Sequence, residues 1–332
     1  MSQTLSDIAK ALVVDGKGIL AADESSPTIK KRFDGIGVEA TEDNRRDYRT
    51  MLFTSPDAGR YISGVILFDE TLRQSAADGT PLVGILTSGG IIPGIKVDKG
   101  AKPLAGFPDE KVTEGLDGLR DRCAEYAQLG AKFTKWRAVY TIGDDGPSAA
   151  CLTANAHALA RYAAIAQEAG LVPIVEPEVL MDGDHSIDDC QVVSEEVLRT
   201  VFAELTIQEI ELEGMLLKPN MVLSGADCPE QAGVEEVAKR TVQTLKRAVP
   251  AAVPGIVFLS GGQSDEVATL HLNAMNKLGE QLPWQLSFSY GRALQAAPLK
   301  AWAGKTENLA TAQSAFLERA KANGAATLGA YA

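Results

Sequence analysis

Histidine and cysteine are scarce in this chain, and the few present are scattered. His157, His185 and His271 stand alone, and Cys123, Cys151, Cys190 and Cys228 form no C-x-x-C pair. Zinc sites usually pair such residues at short spacing, so no metal centre is expected and the cysteines read as reduced thiols. Long apolar runs are missing too. Stretches such as "AAVPGIVFLSGG" are broken by Gly, Pro or charge before reaching the ~20 residues a membrane-crossing helix needs. There is no long block of Lys and Arg, and 32 basic against 44 acidic residues give a formal charge of −12. Nucleic acid and a lipid surface are therefore unexpected partners. The opening "MSQTLSDIAKALVVDGKG" has no basic leader, carries Asp7 early, and reads as an amphipathic helix rather than a signal peptide. A cytoplasmic location is the default expectation. An acidic chain still binds anions where its basic residues converge, so phosphorylated substrates stay open.

Also absent are a Ser/Gly/Pro-rich linker, a low-complexity segment and any shift of composition at the midpoint. What the 332 residues do contain is a recurring strand-like run. The runs are "KGILAADES" (17–25), "YISGVILFDE" (61–70), "GGIIPGIKVD" (89–98), "AKFTKWRAVY" (131–140), "GLVPIVEPEVL" (170–180), "EGMLLKPNMV" (213–222), "PGIVFLSGGQS" (254–264) and "PWQLSFSYGRA" (283–293). Most are separated by stretches with apolar residues at helical spacing and a closing Gly, such as "NAHALARYAAIAQEAG". Eight strand-then-helix units predict an α/β fold: a single (β/α)8 barrel domain spanning 1–332, with additional helices at 26–60 and after Arg292. The small, weakly patterned residues 323–332 are expected to form a mobile tail.

In "EGMLLKPNMVL" a buried-strand pattern runs into Lys218, an ammonium group that is costly to bury unless paired, solvated in a cavity or deprotonated for chemistry. Other strand ends share this oddity: Asp23, Lys96, Lys135 with Arg137, and Glu176 with Glu178. Strand residues i and i+2 share a face, and barrel active sites gather at the C-terminal strand ends. With Arg292, the site would hold five cations and three carboxylates, a setting for a phosphate ester. "LSGGQS" (259–264) adds a hydroxyl and flexible amides leading into a helix start. Each piece alone has a plainer reading: a Gly-Gly turn, solvated glutamates, rim ion pairs, a structurally paired lysine. Their shared placement on at least five strands favours carbonyl chemistry. A lysine among cations would attack a ketone to form an imine, two glutamates would move its protons, and Asp23 would take a hydroxyl proton to trigger carbon–carbon cleavage.

"GKGILAADES", "GVILFDETL", "GIKVDKG", "AKFTKWR", "VPIVEPEVL", "LEGMLLKPNMV", "FLSGGQS" and "FSYGRALQ", in this order, resemble class I fructose-bisphosphate aldolase. The resemblance implies a (β/α)8 barrel and reversible cleavage of fructose 1,6-bisphosphate, a reaction of glycolysis and gluconeogenesis. It needs no metal, because the imine on Lys218 is the electron sink. The resemblance further makes Lys218 the Schiff-base residue and Glu178 the main acid/base, with Glu176 and Lys135 assisting, and Asp23 the acceptor of the C4 hydroxyl proton. Ser260, Gly261, Gly291 and Arg292 would hold the C1 phosphate; Ser25, Arg32, Lys96 and Arg137 would serve the C6 end. Members are commonly homotetramers. Thr28 stands where members often have serine, and Tyr331 is left outside the site. Two other readings stay open at this stage: a non-catalytic sugar-phosphate-binding scaffold and a metal-dependent aldolase.

Overall fold

A computed structural model describes residues 3–143, 146–279 and 281–332; the first two residues of the expected N-terminal helix lie outside it. Among the described residues, eight parallel strands close into a barrel. They are β1 (Gly18–Ala22), β2 (Ile62–Leu67), β3 (Ile92–Lys96), β4 (Phe133–Tyr140), β5 (Val172–Val179), β6 (Leu216–Leu217), β7 (Gly255–Phe258) and β8 (Gln285–Tyr290). Each pairs with its sequence neighbours, and β8 pairs with β1. All eight coincide with the strands expected from sequence. A short antiparallel pair, Ala101–Pro103 with Lys111–Thr113, was not expected.

Helices wrap the barrel. Helix α1 (Leu5–Leu12) precedes β1, starts with a capping box on Thr4 and ends beneath the barrel. Helices α2 (Ser26–Asp34) and α3 (Glu42–Phe53) follow β1; α4 (Asp69–Arg73) and α5 (Leu82–Ser88) follow β2. Then come α6 (Leu119–Gln128), α7 (Ala149–Glu168), α8 (Ile187–Ile207), α9 (Val234–Ala248) and α10 (Asp265–Lys277) after β3, β4, β5, β6 and β7 in turn. Helices α11 (Arg292–Trp302) and α12 (Leu309–Ala326) close the chain. Strands covered on both faces have no solvent side, which is why they read as near-continuous apolar runs.

Inside the barrel the inward face changes character along its height. At the bottom Ile19, Ile66, Phe133, Val172, Ile174, Leu216 and Val257 pack with Ile8, Leu12 and Val13 from the α1 segment into a closed apolar plug. Gly94 makes room for it: a Cβ there would stand 2.3 Å from the Phe133 ring. Two residues further up the same inward rows stand Lys135, Glu176, Lys218 and Lys96. The plug thus seals the charged layer from below.

The tail expected to be mobile is packed. Helix α12 runs to Ala326, Asn323 is fully buried and accepts from Thr269 Oγ1 at 2.8 Å, and Thr327 Oγ1 accepts from Gly16 N at 3.0 Å. Asn273 clasps the backbone N and O of Tyr331, each at 3.0 Å. The small residues that looked unpatterned permit close approach: a Cβ on Gly324 would stand 2.5 Å from the Gly16 carbonyl.

Candidate active site

Strand register delivers the charged side chains to one level. Lys96 of β3 pairs with Lys135 of β4, and Arg137 with Glu176 of β5. Strand β6 is cut short because Pro219 has no N–H to give the ladder. Lys218 N still donates to Val175 O at 2.8 Å, and the Asn220 side chain takes over the ladder by accepting from Val179 N at 3.0 Å. A buried lysine is thereby fixed at the last position before the chain turns away.

These residues line one cavity of about 500 Å³ at the C-terminal end of the barrel. Every residue expected in the site borders it: Asp23, Ser25, Arg32, Lys96, Lys135, Arg137, Glu176, Glu178, Lys218, Ser260, Gly261, Gly291 and Arg292. Glu24 and Asp182 add two carboxylates that sequence reasoning missed. Alternation would turn Glu24 away from its neighbour Asp23, but β1 ends at Ala22 and alternation ends with it.

Lys218 Nζ lies 3.1 Å from Glu176 Oε1, with its side chain 5% exposed. Lys135 Nζ bridges Asp23 (2.7 Å) and Glu176 (3.2 Å). Glu178 instead pairs with Arg137. Glu176, not Glu178, is thus the carboxylate in hydrogen-bonding reach of Lys218, whereas the resemblance implied Glu178 as the main acid/base. The i, i+2 rule gives both glutamates one face but not their depth, and Glu176 lies deeper. Burial pushes the Asp23 carboxyl upward, but the ammonium groups of Lys135, Lys218 and Lys96 outweigh it and hold Asp23 well below the usual carboxylate range. Burial opposes the Lys135 ammonium in the same way, and Asp23, Glu176 and Asp98 hold it well above the usual range. The Asp23–Lys135 pair therefore rests in its ionised form in the unliganded protein.

In all, six cations and five carboxylates line the cavity. Most of the cations are engaged: Arg32 with Glu24, Lys96 with Asp98, Arg137 with Glu178. Among the described residues Arg292 has no such partner and is exposed. It heads α11, whose N-cap Gly291 supplies no side chain to the first-turn amides. Ser25 likewise leaves α2 uncapped, and its hydroxyl sits 3.1 Å from that of Thr28. Two open helix N-termini therefore border the cavity, each favourable to an anion. Arg32, expected at the C6 end, has Nη2 3.6 Å from where a Cβ on Gly291 would stand, so it borders the opposite group of residues. Behind Arg32, Glu24 also accepts from Gln295 Nε2 at 2.7 Å, and its backbone carbonyl accepts from the fully buried Arg49 at 3.0 Å. Among the described residues no cluster of His, Cys, Asp and Glu could hold a metal ion.

A (β/α)8 barrel with a sealed lysine beside a carboxylate, under a cationic rim, defines a class: an enzyme of carbonyl chemistry on phosphorylated substrates. Comparison with known proteins narrows it. The family model "Fructose-bisphosphate aldolase class-I" matches residues 4–332. A "Probable fructose-bisphosphate aldolase class 1" of Xanthomonas campestris pv. campestris is 61% identical over 330 residues, covering 99% of this chain and 98% of that protein. "Fructose-bisphosphate aldolase 4, cytosolic" of Arabidopsis thaliana is 58% identical over 316 residues, 95% of this chain and 80% of that one. The solved fructose-bisphosphate aldolase of Plasmodium falciparum, in complex with TRAP and a small-molecule inhibitor, superposes with a TM-score of 0.98 at 52% identity, covering 99% of this chain and 95% of that one. The chain belongs to the class-I fructose-bisphosphate aldolase family. No described helix is long and apolar enough to cross a membrane.

Proposed function

We propose that Lys218 is the imine-forming nucleophile of this aldolase and that Glu176 is its principal proton carrier. The enzyme cleaves fructose 1,6-bisphosphate reversibly to dihydroxyacetone phosphate and glyceraldehyde 3-phosphate, a lyase step of glycolysis. In the proposed sequence Glu176 first takes a proton from the Lys218 ammonium, the neutral Nζ attacks the C2 ketone, and Glu176 returns that proton to the departing hydroxyl so that water leaves and a protonated imine results. Asp23 then takes the C4 hydroxyl proton, the C3–C4 bond breaks, and its electron pair enters the imine to give an enamine. Glyceraldehyde 3-phosphate departs, C3 is protonated, and water releases dihydroxyacetone phosphate. Lys135 orients Asp23 and Glu176 through its two ion pairs, and Glu178 acts with Arg137.

The observation that carries this reading is the 3.1 Å approach of Glu176 to Lys218 inside a sealed barrel. Ser260, Gly261, Gly291 and Arg292 are proposed to hold the C1 phosphate, and Ser25, Lys96 and Arg137 the C6 phosphate, with Arg32 between them. We also propose that no metal takes part, in keeping with class-I membership, and that the protein is a cytoplasmic homotetramer; the cytosolic plant relative supports the setting. Nothing in the relatives favours a non-catalytic scaffold. An imine exchanges the ketone oxygen with solvent, which an enolate held by a metal does not require. Dihydroxyacetone phosphate in oxygen-18 water should therefore gain label faster than the enzyme-free background with the wild-type enzyme, EDTA-treated or not, and only at the background rate with Lys218→Met. Acceleration lost to EDTA, or retained in the variant, would overturn the assignment.

A further inference from the structure

Behind the cavity wall at Ser260, Gly261 and Gly262 stand two side chains that do not line it, Gln263 and His271. The Gln263 carboxamide is held on both sides. Its Nε2 donates to Ser260 O at 3.0 Å and approaches Met221 Sδ at 3.6 Å. Gln263 N donates to the same Ser260 carbonyl at 3.0 Å. Two acceptors on one side fix the NH2 group there, so Oε1 faces His271 Nδ1, 2.6 Å away. An amide oxygen only accepts, so Nδ1 carries the ring's proton. Burial lowers the pKa of His271 to about 4, leaving the ring neutral at neutral pH.

The loop so held has a demanding shape. Gly261 and Gly262 have φ of +53° and +91°, and a Cβ on Gly262 would meet Met181 Sδ at 2.9 Å. Among the described residues the amides of Ser260, Gly261 and Gly262 donate to no protein acceptor. The loop is also tied to the nucleophile's strand: Met221 lies three residues past Lys218, and Leu259 N donates to Pro219 O at 3.2 Å.

We propose that His271 and Gln263 form a positioning relay that shapes this loop, sets its distance from Lys218 and so determines affinity for the C1 phosphate. The relay rests on the assignment of Ser260 and Gly261 to that phosphate. Two donors pull the Ser260 carbonyl into the protein, which leaves the loop's amides for an anion. His271 keeps the amide from rotating. Were it to rotate, Oε1 would oppose the Ser260 carbonyl and the loop would be released.

The test uses Gln263→Met, His271→Leu and His271→Asn, with Ser260→Ala as the reference for the loop. Gln263 is only half-buried, so its variant keeps the question decidable should the His271 variants unfold. Gln263→Met and His271→Leu should raise both KM for fructose 1,6-bisphosphate and the dihydroxyacetone phosphate concentration for half-maximal borohydride trapping, each about five- to tenfold. Inhibition by glyceraldehyde 3-phosphate should stay unchanged, kcat should move less than about threefold, and His271→Asn, which keeps a donor near the Nδ1 position, should restore the wild-type values. If Ser260→Ala weakens dihydroxyacetone phosphate while the Gln263 and His271 variants do not, the relay is wrong and the phosphate loop stands. If Ser260→Ala has no effect either, the loop assignment fails and the relay with it. Equal weakening of both triose phosphates would mark a general structural role and also overturn the proposal.

Discussion

At the scale of single residues, the site turns on which carboxylate touches Lys218. Glu176 stands 3.1 Å from Lys218 Nζ, whereas Glu178 is engaged by Arg137. Replacing Glu176 by Gln removes the proposed proton carrier and should lower kcat by about 10²- to 10⁴-fold. Glu178→Gln should cost much less, on the order of tenfold. Steady-state cleavage rates of the two variants check this, and a larger loss for Glu178→Gln would support the leading role that the resemblance gave Glu178. Which of the two glutamates approaches Lys218 was not legible, because alternation assigns a face and says nothing of depth. The presence of Asp23, Lys135, Glu176 and Lys218 together was legible, because charge at the end of an apolar strand is physically costly and so informative. Glu24 was not, since it lies just past the end of β1, where periodicity no longer applies.

Among the elements, the eight strands were readable because each apolar run is bounded by Gly, Pro or charge. The hairpin at 101–113 escaped, being only three residues a strand. The tail escaped for a different reason: close packing of α12 selects small residues, and small residues carry no hydrophobic pattern. Helix α10 illustrates what an element can hide. Its His271 looked like an isolated histidine, yet it is buried behind the loop proposed to hold the C1 phosphate, with its pKa lowered to about 4. The unfolded chain takes up a proton near pH 6.5, and the folded chain refuses it until about pH 4. The stabilising contribution is therefore present above pH 6.5 and is lost as pH falls toward 4, by roughly 3 kcal/mol at full extent. Urea unfolding at neutral pH and near pH 4.5 should show wild type losing more stability than His271→Asn, which cannot titrate. Equal losses would mean that the folded protein does protonate His271.

For the molecule as a whole, one barrel solves two problems at once. The apolar plug at its base, roofed by charged side chains two residues higher on the same strands, keeps water away from Lys218 from below. Ionised side chains are tolerated there because they neutralise one another: Asp23 with Lys135, Glu176 with Lys135 and Lys218. The chain's excess of acidic residues does not prevent a cationic rim, because convergence of a few strand ends sets the local field. The most direct test is to incubate the protein with dihydroxyacetone phosphate, reduce with borohydride, weigh the intact chain and map the modified peptide. The account predicts one stable adduct per chain, on Lys218. Folded protein with no adduct, or with its adduct on Lys135 or another lysine, would contradict it.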